Sequence, residues 1–513
     1  MRYDGQSISG SSGLTGPWVG LSLGLVVVAS CATDRPGGDR SPTCEVRLDG
    51  SARDVSVILI VNDTMRRDRM GIYGGSARTP VFDRFARNHL LFERAFTQAP
   101  WTKPSIATLF TSLYPSQHGL ASHPELRTLR RGEESDQSLP EVDVLDESYL
   151  TLAEVLRDAG YRTAALVSNP WMGADFGFAQ GFEAYRDDFG ADWDVPGERI
   201  SRAGLDWIER VPQGERFFLY LHYIDSHRPY GKLDDSLVSE LEELGPDARR
   251  VPGAAKEFHR WLVDHEQQEF SNEGLKRLRF LEPRMALIDK AYDRGIEEFD
   301  RALEIFLDGL SRHPDHDRIA VLITSDHGEA LYDRGYGNHG FGLFDDEAAI
   351  PLAARLPGVT PGDRRMGCAV GLVDIMPTLC AYLEVACPAT LFGRNVLAGS
   401  DEGRLAKYVV TEGVMFKPRN RTIRDASYKL FWEPDGPIPT RDRAHALYNV
   451  EQDPGETRNL LSPENTTPEH EQIARILAYE LREFVPPFER PETEFVPLDP
   501  QVERRLRALG YLE

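Results

Sequence analysis

Three apolar runs that lie far apart in the sequence each lead into acidic residues or histidine. Asp63 follows the run VSVILIV, His222 ends the run FFLYLH and precedes His227 by five positions, and Asp326-His327 follow the run IAVLIT. In open α/β sheets, ligands bind beyond the carboxyl ends of the strands. A single acid after a strand is usually only a turn or capping residue. Three such endings together predict a ligand site.

The residue types at these endings favour a divalent metal ion. Asp63, Asp326 and His327 offer carboxylate oxygen and imidazole nitrogen, which suit Mn²⁺, Zn²⁺, Mg²⁺ or Ca²⁺ better than a soft thiolate site does, with Mn²⁺ or Zn²⁺ favoured. Taken singly, Asp63 also fits a helix cap and His327 a surface turn. His339 stands in a second glycine-rich stretch and adds another histidine to the same region.

Thr102 offers a hydroxyl that could act as a nucleophile. It stands two residues before Pro104, which is typical of the first turn of a helix, so an ordinary capping role is one interpretation. A hydroxyl at a helix N-terminus beside a divalent ion is also suited to nucleophilic attack, with its oxygen as a further metal ligand. Lys103 supplies a cation that would bind an anionic substrate or simply face solvent.

The elements that must position these residues alternate between strand and helix from residue 54 onward. This alternation predicts an α/β fold: a mainly parallel sheet flanked by helices. The charged segment 234–283 is interpreted as a surface insertion. The predicted strands are 55–61, 217–222 and 319–324, and the predicted helices are 79–87, 104–113, 150–159 and a long amphipathic helix at 286–310.

The pattern of the sequence changes after residue 400. Short predicted strands and turns there indicate a smaller antiparallel α+β subdomain, which ends in a predicted helix at 469–484. The predicted organisation is therefore a leader (1–31), a tether rich in Gly and Pro (32–53), a catalytic domain (54–400) and a C-terminal subdomain (401–513).

The N-terminus predicts export and lipid anchoring. The apolar run at 18–29 is shorter than the roughly 20 residues of a membrane span, and it has the length of a signal-peptide core. It ends in Val28-Ala29-Ser30-Cys31, which resembles a bacterial lipobox. Cys31 would then be lipidated and hold the protein on a membrane, at the periplasmic or extracellular side of the bacterial envelope. An uncleaved start is the alternative.

Charge and cysteine content narrow the function classes. The chain carries 59 Lys and Arg against 82 Asp and Glu, a net charge of −23, which argues against nucleic acid as a partner. Apart from Cys31, four cysteines remain, and an exported protein can form up to two disulfides from them in any of three pairings. They are Cys44, Cys368, Cys380 and Cys387.

Six segments beyond the tether contain most of the residues discussed above: VNDTMRRDRMGIYG, APWTKPSIATLFTSLYPSQHG, TLAEVLRDAGYRTAALVSNPW, FFLYLHYIDSHRPY, ITSDHGEALYDRGYGNHG and LYNVEQDPGETRNL. Through these motifs the sequence resembles the sulfatase-like branch of the alkaline phosphatase superfamily. The resemblance implies a large α/β domain with a metal site at the carboxyl end of its sheet and a smaller C-terminal subdomain. It also implies that Thr102 occupies the nucleophile position and that His222, His227 and His339 surround the transferred oxyanion and the leaving group.

The chain departs from the formylglycine sulfatases at informative positions. Those enzymes carry C-x-P-S-R, whereas this chain reads TKPSI from Thr102 to Ile106 and so lacks both the convertible cysteine and the arginine. Asp63 is followed by Thr64 rather than a second Asp, and His327 stands where many sulfatases have Asn. These replacements are similar to threonine-nucleophile phosphoryl transferases and to phosphonate or phosphodiester hydrolases of the same superfamily.

The leading functional hypothesis is a metal-dependent hydrolase or transferase that acts through Thr102 on a phosphate or sulfate ester. Its substrate would be a small molecule, a glycan or a lipid headgroup, bound in part by Lys103, His222 and His227. The alternative is a non-catalytic lipoprotein that keeps the fold and the metal. Retention of the threonine and three histidines argues against that alternative, and the missing arginine argues for it.

Overall fold

The computed structural model describes residues 46–48, 52–120, 141–189, 195–228, 230, 274–334, 337–361, 365–398, 408–413, 420–432, 445–484 and 495–508. The predicted leader, Cys31, Cys44 and most of the predicted insertion lie outside these ranges. Among the described residues, no helix combines the length and apolar character needed to cross a membrane.

The described secondary structure comprises the following strands and helices. The strands are β1 (Val46–Leu48), β2 (Ser56–Asn62), β3 (Leu90–Phe96), β4 (Glu141–Asp143), β5 (Arg162–Val167), β6 (Ala184–Arg186), β7 (Phe217–Tyr223), β8 (Ile319–Thr324), β9 (Ala330–Leu331), β10 (Gly337–Asn338), β11 (Ala349–Arg355), β12 (Val359–Pro361), β13 (Arg365–Gly371), β14 (Val409–Glu412), β15 (Arg421–Arg424), β16 (Tyr428–Trp432), β17 (His445–Asn449) and β18 (Phe495–Pro497). The α-helices are α1 (Pro80–Asn88), α2 (Thr102–Thr111), α3 (Pro115–His118), α4 (Leu152–Asp158), α5 (Gly197–Ile208), α6 (Gly274–Leu310), α7 (Asp345–Ala348), α8 (Ile375–Leu383), α9 (Pro468–Phe484) and α10 (Pro500–Ala508).

An eight-stranded sheet in the order β13-β3-β11-β8-β2-β7-β5-β6 forms the centre of the fold. Only β11 runs against the other strands of this sheet, pairing antiparallel with both β3 and β8. The remaining pairs are parallel. The predicted α/β class with a mainly parallel sheet is therefore confirmed.

Both faces of the sheet are covered, and strand β2 shows why its sequence is a continuous apolar run. Val57, Leu59 and Val61 pack into a core cluster that includes residues of α2, α4 and α8. The alternate residues Ile58 and Ile60 pack into a second cluster with residues of α1, α5 and α6. Because successive side chains of a strand point to opposite faces, a strand buried on both sides needs apolar residues at every position.

The C-terminal subdomain is an antiparallel sheet in the order β14-β15-β16-β17, and its apolar side chains share a cluster with residues of α9. A buried charge network joins this sheet to α7. Arg424 and Lys429 both donate to Asp345 at 2.7–2.8 Å, and Lys429 also pairs with Glu456 at 2.8 Å. The Arg424 and Lys429 charges, with burial opposing them, hold the pKa of Asp345 far below its ordinary value.

Chain segments at both ends of the described sequence return to the large domain. Strand β1, inside the predicted tether, pairs with β12, and β18, inside the predicted C-terminal subdomain, pairs with β4. The sequence did not predict either strand pairing, because a pairing between distant short strands leaves no local signature in the sequence.

Of the cysteines predicted to be able to form disulfides, Cys368 is disulfide-bonded, whereas Cys380 and Cys387 are free.

The predicted elements agree with the structure to within a few residues, with two informative differences. The long helix α6 begins at Gly274, inside the segment that was interpreted as an insertion. Helix α2 begins at Thr102 rather than at Pro104, with Trp101 in the capping position. The interpretation of Thr102 as an N-cap is therefore wrong, and its hydroxyl is available for other contacts.

Candidate active site

The site lies at the carboxyl ends of three adjacent strands, β8, β2 and β7. Hydrogen bonds join the loops that follow them. The Thr64 amide donates to Asp326 Oδ1 (3.1 Å), and the Ser226 hydroxyl donates to the Asp63 carbonyl (2.6 Å). The Ser325 hydroxyl donates to the Asn62 carbonyl (2.8 Å). Because each loop is bonded to its neighbour, the side chains at the centre have little freedom to move apart.

Two acids and a histidine predicted from the sequence meet at this edge. One ligand atom each from Asp63, His222 and Asp326 lies within 4.8 Å of the others. All three residues have no exposed surface. His222 Nε2 lies 3.7 Å from Asp63 Oδ2. The geometry thus adds His222 to the possible metal ligands, whereas the sequence assigned it to the substrate.

His327 and Thr102 complete the group around the same point. His327 Nε2 lies 3.6 Å from Asp63 Oδ1 and 3.4 Å from Asp326 Oδ2. Thr102 Oγ1 lies 3.2 Å from His327 Nε2 and 3.5 Å from Asp63 Oδ2. Ser105, one turn further along α2, donates to the Asp326 carbonyl at 2.6 Å and so ties the start of this helix to the loop after β8.

The donor set and its spacing fit a divalent ion. Ligands placed about 2.1 Å from a metal in tetrahedral geometry are about 3.4 Å apart, and the separations given above run from 3.2 to 3.7 Å. Within the described part of the chain, Asp63 Oδ1, Asp326 Oδ2 and both ring nitrogens of His222 are buried and form no hydrogen bond. Buried polar atoms ordinarily have a partner, and a cation would provide one for both carboxylate oxygens and for one of the two His222 nitrogens.

The electrostatics lead to the same conclusion. Burial, and next the charge of Asp326, raise the pKa of Asp63 well above its usual range. Burial likewise raises the pKa of Asp326. Burial lowers the pKa of His222 to about 3, so its ring is neutral at pH 7 and can bind a metal. Hydrogen bonds to Asp326 and Asp63 stabilise their anions in part, and a positive charge beside the pair would stabilise both further.

His339 and His227 lie beside this group. The ring centroid of His339 is 4.5 Å from that of His327 and 5.3 Å from that of His227. His339 Nδ1 is 3.0 Å from Glu329 Oε2, and Tyr230 donates to the other oxygen of Glu329 at 2.8 Å. A carboxylate bonded to Nδ1 fixes the ring orientation and directs Nε2 away from it.

Lys103 is held by a different contact. Its Nζ lies 2.7 Å from Asp143 Oδ1, and neither side chain has any exposed surface. Nζ also lies 4.9 Å from the centroid of the Phe176 ring and 5.6 Å from that of Trp171. A buried carboxylate therefore already compensates the charge of Lys103. Its substrate-binding role stays a prediction, while its observed contacts fix the start of α2.

Sequence reasoning missed two residues of this site. Asn169 follows β5 at the same edge of the sheet and donates to Asp63 Oδ2 at 2.6 Å. Glu329 stands in the same motif as Asp326 and His327, yet it received no role. The rule that identified Asp63, polar residues after a buried strand, also applies to Ser168-Asn169 after Val167, and would have identified this position.

Thr64, the residue after Asp63, has a strained backbone. Its φ is +59°, a left-handed conformation that β-branched residues rarely adopt. Its amide holds Asp326, and its carbonyl accepts a hydrogen bond from the Tyr292 hydroxyl of α6. The surrounding bonds therefore impose the strain, as is common at functional sites.

We predict that the stability of the metal-free protein depends on pH through Glu329. Burial raises the pKa of this carboxyl from 4.5 to about 7. The pKa of Glu329 is higher in the folded than in the unfolded protein. The contribution of this carboxyl to stability is therefore complete below about pH 4.5 and is lost as the pH rises through about 7. The loss amounts to about 3 kcal/mol.

Denaturation of wild type and Glu329→Gln in excess chelator at pH 5 and pH 8 measures this contribution. The free energy of unfolding should fall less in the variant than in wild type when the pH is raised from 5 to 8. Glu471→Gln, on the surface of α9, should follow the wild type. An equal fall in the free energy of unfolding for wild type and Glu329→Gln would contradict the prediction.

Comparisons with known proteins agree with this architecture. YidJ, an uncharacterized sulfatase of Escherichia coli K12, is 23% identical over 451 residues, which cover 79% of this chain and 82% of that protein. The structure of BT4656 in complex with its substrate D-glucosamine-2-N,6-O-disulfate matches with a TM-score of 0.60 at 15% identity, covering 85% of this chain and 99% of that one. The phosphonate monoester hydrolase of Agrobacterium radiobacter matches with a TM-score of 0.58 at 17% identity, covering 84% and 96%.

The sulfatase family model matches residues 56–385, more than half of the 513 residues. This range contains every residue of the site described above. The chain belongs to the sulfatase family of ester hydrolases.

Proposed function

We propose that this protein is a metal-dependent hydrolase or transferase of phosphate or phosphonate esters that uses Thr102 as its nucleophile. The observation that carries the proposal is the position of the Thr102 hydroxyl. It is fully buried at the first residue of α2, 3.2 Å from His327 Nε2 and 3.5 Å from Asp63 Oδ2. A hydroxyl among candidate metal ligands, at the positive end of a helix, is suited to attack an ester of an oxyanion.

The proposed reaction assigns a role to each part of the site. Asp63, Asp326 and His327, with His222 beside them, would hold one divalent ion, with Mn²⁺ or Zn²⁺ favoured. When bound, the ion would lower the pKa of the Thr102 hydroxyl and offset negative charge on substrate oxygens. The Thr102 oxygen would bond to phosphorus as the bond from phosphorus to the leaving oxygen breaks. Water or an acceptor hydroxyl would then attack phosphorus and restore Thr102.

His339 is the best-placed proton donor for the leaving oxygen. Its Nδ1 is engaged by Glu329, so Nε2 is the ring atom that can face the substrate. His227 is engaged differently, since its Nδ1 lies 2.6 Å from the Arg228 carbonyl. Burial, and next the charge of His339, hold the pKa of His227 well below its usual range, so this ring is neutral and suited to accept a hydrogen bond through Nε2.

The nucleophile favours phosphorus over sulfur. A formylglycine hydrate can expel sulfate by elimination, but a sulfated threonine would need direct attack of water on sulfur. Ile106 is an apolar, fully buried residue and cannot assist that attack as an arginine would. Phosphoryl transfer depends chiefly on positioning and charge stabilisation, which the proposed ion and the histidines would supply.

A non-catalytic role for the same fold is less well supported. A non-catalytic protein that only kept the metal would need the buried acids but not the buried hydroxyl of Thr102 or the buried rings of His227 and His339 beside it, because burying such groups costs free energy. The proposed substrates are small molecules, glycans or lipid headgroups. The disulfated glucosamine bound by BT4656 is an example of a glycan ester on this fold.

Thr102→Ala should lower turnover of a nitrophenyl phosphate or phosphonate ester by about 10³-fold or more, because it removes the attacking oxygen. Thr102→Ser retains the hydroxyl and should keep a substantial part of the activity. Steady-state assays with Mn²⁺ or Zn²⁺ supplied compare these esters with the matching sulfate ester, which should react more slowly. Faster sulfate turnover, or full activity of Thr102→Ala, would show that the ester class or the nucleophile is misassigned.

Removal of the metal should destabilise the protein. Binding to the folded state alone adds about 2.7 kcal/mol when the free ion is at 100 times its Kd, so chelation should lower the melting temperature and Mn²⁺ or Zn²⁺ should restore it. Asp326→Asn keeps an oxygen to accept from the Thr64 and His327 amides but should lose most of the metal response. Calorimetry that shows identical transitions with and without metal would refute the site.

We also propose that the mature protein begins at a lipidated Cys31 and lies on a membrane surface of the bacterial envelope. The support is the lipobox-like sequence alone. Cys31→Ala should appear in the soluble fraction or as an unprocessed precursor. Mass spectrometry that finds an unmodified Cys31 in membrane-bound wild-type protein would rule out the anchor.

A further inference from the structure

Asn169 contacts the candidate metal site through its side-chain amide. Its side chain is fully buried, and its Oδ1 accepts a hydrogen bond from the Trp171 amide at 2.9 Å, which caps the short 3₁₀ turn Pro170–Met172. Because the oxygen is fixed by this cap, the other end of the amide group must be the nitrogen. Nδ2 donates to Asp63 Oδ2 at 2.6 Å.

This bond defines how Asp63 presents its two oxygens. Oδ2 receives the Asn169 donor, while Oδ1 lies 3.6 Å from His327 Nε2 and has no hydrogen bond from any described residue. Rotation of the carboxylate about its Cβ–Cγ bond would break the Asn169 contact. The two oxygens are therefore not equivalent: Oδ2 also lies 3.5 Å from Thr102 Oγ1 and 3.7 Å from His222 Nε2, but only Oδ1 lacks a hydrogen-bond donor among the described residues and so needs a cation as its partner.

The chemical type of the donor also matters. A neutral amide orients a carboxylate without cancelling its charge, whereas a lysine or arginine at this position would compete with a cation for it. The turn that carries Asn169 further packs on the residue before the nucleophile, since the Trp171 and Trp101 rings meet edge to face with centroids 5.7 Å apart. One short segment thus contacts both Asp63 and the start of α2.

We infer that Asn169 is a positioning residue for the metal centre: it holds Asp63 so that Oδ1 is presented to a divalent ion, without placing a second positive charge beside the carboxylate. This inference rests on the metal centre proposed above. Hydrogen-bond partners of metal ligands typically change metal affinity by 10- to 100-fold when they are removed.

The decisive variant is Asn169→Ser. A serine hydroxyl can still cap the turn by accepting from the Trp171 amide, but it is too short to replace Nδ2 at Asp63. The variant therefore removes the contact with Asp63 and keeps the structural one. The measurements are calorimetric titration of the chelator-stripped full chain with Mn²⁺ and with Zn²⁺, and the melting temperature of the metal-free protein.

The expected result is a 10- to 100-fold weaker affinity for both ions, while the metal-free protein stays folded and melts in one transition, lowered at most by the loss of one buried hydrogen bond. Asn459→Ser is a matched control, because Asn459 Oδ1 also accepts backbone amides, from Leu447 and Leu461, but in the C-terminal subdomain. This control should bind both ions as wild type does.

Each other outcome overturns a different claim. Wild-type affinity in Asn169→Ser, with or without a lower metal-free melting temperature, would show that Asn169 is only a turn cap. Weaker binding in Asn459→Ser to the same degree would show that the effect is not specific to the site. Absence of binding by the wild type would refute the metal centre itself, and this inference with it.

Discussion

The burial of two carboxylates side by side is the constraint on which the rest of the site depends. Asp63 and Asp326 have no exposed surface, and burial raises the pKa of both. Without a compensating charge, such a pair would protonate or separate. The strand-end loops prevent separation, because the Thr64 amide is bonded to Asp326 and the Asp63 carbonyl to Ser226. A divalent cation would remove the remaining conflict, and under the proposed function it would also supply positive charge for an anionic ester.

The neutral groups around these acids are as important as the charged ones. Burial keeps His222 and His227 uncharged at pH 7, so they do not compete with a cation for the carboxylates. Asn169 likewise donates a hydrogen bond to Asp63 without adding a positive charge. Thr102, placed at the first residue of α2, adds a hydroxyl where the helix N-terminus favours negative charge. The site therefore places its two buried acids, Asp63 and Asp326, at one point and surrounds them mostly with neutral groups; Glu329, on the far side of His339, is a further acid near the site.

Buried ion pairs outside the site hold its supporting elements in place. Lys103 and Asp143 connect the start of α2 to β4. Asp345 of α7, which the C-terminal sheet binds through Arg424 and Lys429, is followed by Asp346 and Glu347, whose carbonyls accept the amides of Glu329 and Gly328. The C-terminal subdomain is thus linked to the residues directly after His327. Removing one partner of such a pair leaves a buried charge, at a cost of about 3–5 kcal/mol, so these contacts tolerate little change.

The sequence by itself determined the α/β class, the strands that carry the site and most of its residues. The local pattern is sufficient for this, because the continuous apolar run VSVILIV predicts a strand buried on both faces. The acids and histidines that follow such strands then lie at the same edge of the sheet. Only the tertiary structure decided the finer assignments. It showed that the Thr102 side chain faces Asp63 rather than capping α2, that His222 lies among the candidate metal ligands, and that a buried acid holds Lys103. It also showed Asn169 and Glu329 as partners of Asp63 and His339. Asn169 and Asp63 are 106 positions apart in the sequence, whereas Thr102 and Asp63 are 39 apart and meet only through the rotamers of their side chains. The local pattern of a sequence specifies neither such a distance nor a rotamer.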